Sequence, residues 1–165
     1  MSRVVLVGLP GVGKTSVAQS LAQRWGCTWV DTDDLISTKV GIPVAEYLRH
    51  VGEAVFRVEE LSALRTALAQ YDVVATGGGA VATADARELL AENPTVWLDC
   101  DDQHILVRLD GGDRPLLNGD PATSLARLRT TRTPWYLEVS RARIDTSGTL
   151  EEVGERVQEA LAEVE

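Results

Sequence analysis

VVLV at residues 4–7 runs straight into GLPGVGKT at residues 8–15, and the reading of this stretch decides the fold. Four consecutive apolar residues suit a strand covered on both faces. Gly8, Gly13, Lys14 and Thr15 then fill the pattern G-x-x-x-x-G-K-[ST], set between that strand and an amphipathic helix expected over Lys14–Trp25. The glycines let the backbone turn its N–H groups inward, and the helix adds the positive end of its dipole. Such a loop cradles the phosphates of a nucleoside triphosphate. In this reading Lys14 reaches the β- and γ-phosphates and the Thr15 hydroxyl ligates Mg2+.

Outward from the loop, short apolar runs alternate with longer helical patterns. Strands are expected over Val4–Val7, Thr28–Val30, Val73–Ala75 and Thr95–Leu98, with a weaker fifth over Ala142–Asp145. Further helices are expected over Asp34–Lys39, Val44–Arg49, Glu53–Gln70, Ala84–Ala91, Asp102–Arg108, Ala122–Arg132 and Leu150–Val164. Thr149 and Glu152 form a capping box for the last of these. The alternation implies an α/β fold with a mainly parallel sheet under helices. Residues 109–121, LDGGDRPLLNGDP, are dense in turn signals, and so long a loop inside a compact domain is usually functional or disordered.

The 165 residues and 44% hydrophobic content suit one globular domain spanning 1–165. A formal net charge of −9 argues against a nucleic-acid-binding face, so basic residues are expected to concentrate at one site. No apolar run approaches the roughly 20 residues that span a bilayer. Cys27 and Cys100 demand no disulfide, no signal segment opens the chain, and a cytoplasmic location is expected. Trp25, Trp29, Trp97 and Trp135 read as packing residues, and His50 and His104 show no metal-ligand spacing.

Four clusters carry further chemistry. In DTDD, residues 31–34, Asp31 and Asp33 share one side if the chain is extended; one carboxylate would serve the Mg2+ shell and the other orient or deprotonate a hydroxyl. Asp33 equally suits the N-cap of the next helix. Arg57 in GEAVFRVEE, residues 52–60, fits either an exposed ion-pair ladder with Glu53 and Glu60 or a fork for a substrate anion. TGGG at residues 76–79 ends a central strand, where ligands bind in open α/β sheets, and three glycines permit close backbone approach. Arg114 in RPLL sits in the long loop, where a cation would close over a transferring phosphate, and Arg132 lies in RTPWY.

Taken in order, GLPGVGKT, DTD, GEAVFR, TGGG, RPLL and RTPWY resemble the shikimate kinases from Arg3 to about Thr146. The resemblance implies transfer of the γ-phosphate of ATP to the 3-hydroxyl of shikimate, a step toward chorismate and aromatic amino acids. It also implies the three-layer α/β/α fold of nucleoside-monophosphate-kinase-like P-loop kinases, with a five-stranded parallel sheet in the order 2-3-1-4-5 and a mobile lid over about 109–121. By the same resemblance Gly11, Val12, Gly13, Lys14, Thr15 and Ser16 hold ATP, Thr15 ligates Mg2+, and Asp31 supports the metal through water. Asp33 binds the substrate hydroxyls as candidate base, and Arg57, Gly78 and Arg132 hold shikimate. Lys14, Asp33 and Arg114 are the expected catalytic groups, with Arg114 also on ATP. The partners implied are ATP and shikimate, with no nucleic acid, no membrane and a monomeric state. Family members often carry an arginine near the adenine just before the last helix, where this chain has SGT at residues 147–149, so adenine contacts are unassigned.

A gluconate-type or nucleotide kinase would share the loop, but Arg57, TGGG and Arg132 suit a small carboxylate-bearing polyol better than a nucleobase. A GTP-dependent switch is disfavoured, since the guanine-reading N-K-x-D motif is absent.

Overall fold

The computed structural model describes residues 2–109 and 119–164. Five parallel strands, β1 (Val4–Val7), β2 (Trp29–Asp31), β3 (Val73–Ala75), β4 (Thr95–Asp99) and β5 (Ala142–Asp145), form one sheet in the order β2-β3-β1-β4-β5. The order is the expected one. β1 lies at the centre, with Val5 in register with Val74 on one side and Thr95 on the other. All four of its side chains are fully buried, which is why the strand contains no polar residue.

The described helices are α1 (Lys14–Trp25), α2 (Thr32–Val40), α3 (Val44–Val51), α4 (Glu53–Gln70), α5 (Ala84–Ala91), α6 (Asp102–Leu109), α7 (Pro121–Val139) and α8 (Leu150–Glu163), with a short 3-10 turn at Ala80–Ala82. α1 packs on β1, β2 and β3 and against α8, while α7 packs on β4 and against α5 and α6. α1 turns Val17, Ala18, Leu21 and Ala22 inward, a helical spacing that gives it one buried face. The expected capping box opens α8: Thr149 N–H donates to Glu152 at 2.8 Å and Glu152 N–H to the Thr149 hydroxyl at 3.2 Å. A smaller apolar cluster of Ile36, Phe56 and Ala63 joins α2 to α4, and Val44, Tyr47 and Leu48 of α3 pack on it.

Several boundaries differ from the sequence expectation. β2 starts and ends later than Thr28–Val30, because its pairing with β3 runs from Trp29 opposite Val73 to Asp31 opposite Ala75. α2 then begins at once, with Asp31 as its N-cap: the Asp31 carboxylate accepts from Asp33 N–H at 2.8 Å. Asp33 is therefore in the first turn and not the cap, and the two aspartates are not on an extended segment. α7 does not stop at Arg132 but continues through Pro134 to Val139. Proline lacks the N–H that would reach the Thr130 carbonyl. Burial of Tyr136 and Val139 beyond it carries the helix on. Most of the expected lid, with Arg114, lies outside the described residues. Among the described residues no helix is long and apolar enough to cross a membrane, and Cys27 and Cys100 are free thiols.

Gly8 is the hinge from β1 into the loop. Its φ of +154° is one that L side chains rarely adopt, and a Cβ would collide with the Leu98 backbone oxygen on β4. Gly8→Ala is expected to lower the unfolding free energy by about 2 kcal/mol or more, measured by urea titration, because backbone must shift to admit the methyl group. An unaltered midpoint would show that the turn does not constrain the strand.

Candidate active site

β1, β2 and β3 all end at one edge of the sheet, and their ends open onto a cleft of about 530 Å3. The loop after β1 supplies Pro10, Gly11, Gly13, Lys14, Thr15 and Ser16 to its lining; the end of β2 supplies Asp31 and Asp33; the turn after β3 supplies Thr76 to Gly79. Arg57 and Glu60 enter from α4, Arg108 from α6 and Arg132 from α7. Val44, Ala45, Leu48 and Phe56 form an apolar wall. Val12 is fully buried, so only its backbone is available to a ligand.

Lys14 is held inside the loop, its ammonium donating to the Gly8 carbonyl at 2.6 Å and the Leu9 carbonyl at 2.9 Å. Thr15 donates its hydroxyl to the Asp31 carboxylate. Since the other Asp31 oxygen caps α2, Asp31 ties the phosphate loop to the start of that helix. Arg108 donates to the Val12 carbonyl at 2.6 Å, which brings the last turn of α6 against the loop.

Asp33 is half-buried in a strongly charged environment. Burial, then the neighbouring Asp31 and Glu60, push its carboxyl up from 3.8 to about 7, and Lys14 opposes them in part. Glu60 is buried and also shifted up by its burial, against the pull of Arg57 and Arg132. The two carboxylates meet at Gly77, where a Cβ would lie 2.8 Å from Glu60 and 2.9 Å from Asp33, so only glycine leaves both in place.

Arg57 is 8% exposed, not the surface ladder its spacing allowed. It donates to Glu60 at 2.7 Å and Glu53 at 3.2 Å, while its buried Nε has no hydrogen-bond partner among the described residues. A side chain on Gly79 would collide with its guanidinium. Arg132, 4% exposed, lines the same cleft from α7. Two buried guanidinium groups beside a bare glycine backbone suit a small carboxylate, which accepts planar forked donors and N–H groups.

The sequence profile of the family described as shikimate kinase matches residues 10–162. The chain belongs to this family. A shikimate kinase of Streptomyces avermitilis is 43% identical over 162 residues, covering 96% of this chain and 95% of that protein. A shikimate kinase of Frankia casuarinae is 45% identical over 147 residues; the match takes in 88% of this chain but only 65% of that relative's length. Among solved structures, a shikimate kinase of Acinetobacter baumannii in complex with shikimate superimposes with a TM-score of 0.89 at 32% identity, covering 99% of this chain and 93% of that one. For a shikimate kinase fold, the cleft described above is where the phosphate loop and the acceptor pocket are expected to meet.

Of the site residues expected from sequence, Gly11, Gly13, Lys14, Thr15, Ser16, Asp31, Asp33, Arg57, Gly78 and Arg132 all line this cleft, and Arg114 falls outside the described residues. Glu60 and Arg108 were not singled out as site residues. Glu60 had a signal: it is three residues after Arg57 on the helix face that also carries Phe56 and Ala63. Arg108 had none beyond its place at the end of a helix.

The Asp33 carboxyl makes stability depend on pH with a definite sign. Between about pH 4 and 7 the native state keeps a proton that the unfolded chain has lost, so stability falls as pH rises through that window. Asp33→Asn cannot ionise. It is expected to be more stable than the parent above pH 7, by up to a few kcal/mol, with the difference closing as the pH approaches 4. Thermal melts at pH 4.5 and 8 test this, and an equal difference at both would refute it.

Proposed function

We infer that the protein transfers the γ-phosphate of ATP to the 3-hydroxyl of shikimate, giving shikimate 3-phosphate and ADP, a step of chorismate and aromatic amino acid biosynthesis. One observation carries this reading: Arg57 and Arg132, far apart in sequence, line the same cleft as the phosphate loop and Asp33. A phosphoryl donor site, a base and a carboxylate clamp thus share one cavity.

Each group then has a task. Gly11 to Ser16 hold the ATP phosphates, with Lys14 moving from its loop carbonyls to the charge that develops on the transferring group. Arg57, Arg132 and the backbone at Gly78 hold the shikimate carboxylate, and the apolar wall of Val44, Leu48 and Phe56 excludes water from the ring. This orientation presents the 3-hydroxyl to Asp33, whose carboxyl near 7 suits a proton acceptor at neutral pH. Arg114, from the segment outside the described residues, adds a cation on the ATP phosphates. A monomer in the cytoplasm is sufficient for this chemistry.

Magnesium fits the donor set as a companion of the nucleotide. Thr15 and Asp31 offer a hydroxyl and a carboxylate already joined to each other. Among the described residues no group of three or more His, Cys, Asp or Glu side chains is placed to hold a metal alone. A hard cation that keeps most of its ligands as phosphate oxygens and water matches so sparse a set, with Thr15 direct and Asp31 through water. Bound there, Mg2+ would neutralise charge on the β- and γ-phosphates.

A coupled ADP-release assay with shikimate, gluconate and nucleoside monophosphates as acceptors tests the assignment. ATP consumption only with shikimate is expected, and turnover of gluconate or a nucleotide in its place overturns the reading. Arg132→Lys is the cleaner probe of the clamp, because removing Arg57 would also leave buried Glu60 without its partner. A point charge cannot replace the planar fork, so the KM for shikimate should rise about tenfold or more while the KM for ATP stays within about twofold. If both KM values move together, Arg132 supports the cleft as a whole and not the carboxylate.

A further inference from the structure

Tyr136 is sealed in the interior, 1% exposed, and it stands behind the cleft instead of lining it. Its ring stacks on Trp97 of β4, with centroids 5.6 Å apart and planes at 24°. Its hydroxyl donates to the Gly78 carbonyl at 2.7 Å. The direction of this bond is fixed by chemistry: a carbonyl only accepts, so the single phenol proton lies toward Gly78.

The consequence lies in the next peptide. The Gly78 carbonyl and the Gly79 N–H belong to one planar trans unit and point in opposite directions. Holding the carbonyl back toward α7 therefore turns the Gly79 N–H forward, to the cleft side, where Gly79 lies against the Arg57 guanidinium. Pro10 closes off movement at Gly78, since its ring lies 2.7 Å from where a Cβ would be.

We propose that Tyr136 is the positioning residue of the acceptor site: its hydroxyl holds the Gly78 carbonyl and so aims the Gly79 N–H, which meets the acceptor's carboxylate already oriented. The proposal rests on the shikimate reading and deepens it. Donors held in place before binding lose little freedom when the ligand arrives, and the gain appears as affinity. Burial pushes the phenol up to about 12, with Arg132 opposing, so the hydroxyl keeps the proton it donates to Gly78 across the neutral range.

Tyr136→Phe keeps the ring and its stack on Trp97 and removes only the hydroxyl. Steady-state kinetics with shikimate and with its neutral carboxamide, on parent and variant, form a cycle that separates aiming from packing. The KM for shikimate is expected to rise about tenfold with kcat and the KM for ATP within about twofold, and the penalty should shrink to less than about twofold for the carboxamide. A role confined to packing would penalise both acceptors equally, and that result overturns the proposal while leaving the kinase reading intact. No turnover of shikimate by the parent protein overturns both. A second measurement needs no variant: in the parent protein with ADP, shikimate should move the Gly79 amide proton downfield, and the carboxamide, a weaker acceptor, should move it less. An unmoved Gly79 resonance overturns the proposal even if Tyr136→Phe fails to fold.

Discussion

The site depends on crowding charges of both signs into one cleft without letting them cancel. Lys14, Arg57, Arg108 and Arg132 line a cleft that also contains Asp31, Asp33 and Glu60. Each carboxylate is set at a different point of that balance. Asp31 is spent on the Thr15 hydroxyl and the α2 cap, and Glu60 on Arg57. Burial and the crowding of both push Asp33 up to about 7. A buried charge with no partner costs several kcal/mol, so removing any one of these groups changes the state of the others. The Arg57 Nε is buried and has no hydrogen-bond partner among the described residues.

The parallel sheet makes this assembly possible. Strands that all run the same way deliver their C-terminal ends to one edge, and β2, β3 and β1 are neighbours in the order they take there. The phosphate loop, Asp31 and the glycine turn therefore arrive side by side from separate segments of the sequence, without any long loop having to reach across the molecule. A net charge of −9 for the whole chain coexists with cations gathered in this one cleft, which is the distribution an anionic substrate pair requires.

Much of this was legible in the sequence because the signals were local. VVLV and GLPGVGKT carry their strand, turn and helix within a dozen residues, and Thr149 with Glu152 announces the start of α8 unaided. Where the reading was ambiguous, the missing information was tertiary. Arg57 with Glu53 and Glu60 has the spacing of a surface ladder, and only the packing of α4 buries it in the cleft. The N-cap fell to Asp31 and not Asp33 because strand pairing with β3 set the point at which β2 gave way to α2. Pro134 signals an end to α7, and the burial of Tyr136 and Val139 overrides it. Tyr136 offered no signal as a site residue, since a buried aromatic beside a tryptophan reads as core.

The small apolar cluster of Ile36, Phe56 and Ala63 separates the acceptor wall from the main core. Val44 and Leu48 of α3 pack on this cluster and face the cleft, whereas β1 and the phosphate loop are anchored in the larger one; Leu35 packs against both. Sequence drift in the wall is thereby insulated from the nucleotide machinery. A lineage can recontour the acceptor pocket through α3 while the cradle inherited from β1 stays untouched, so a change of substrate in such a fold need not begin with a loss of ATP binding.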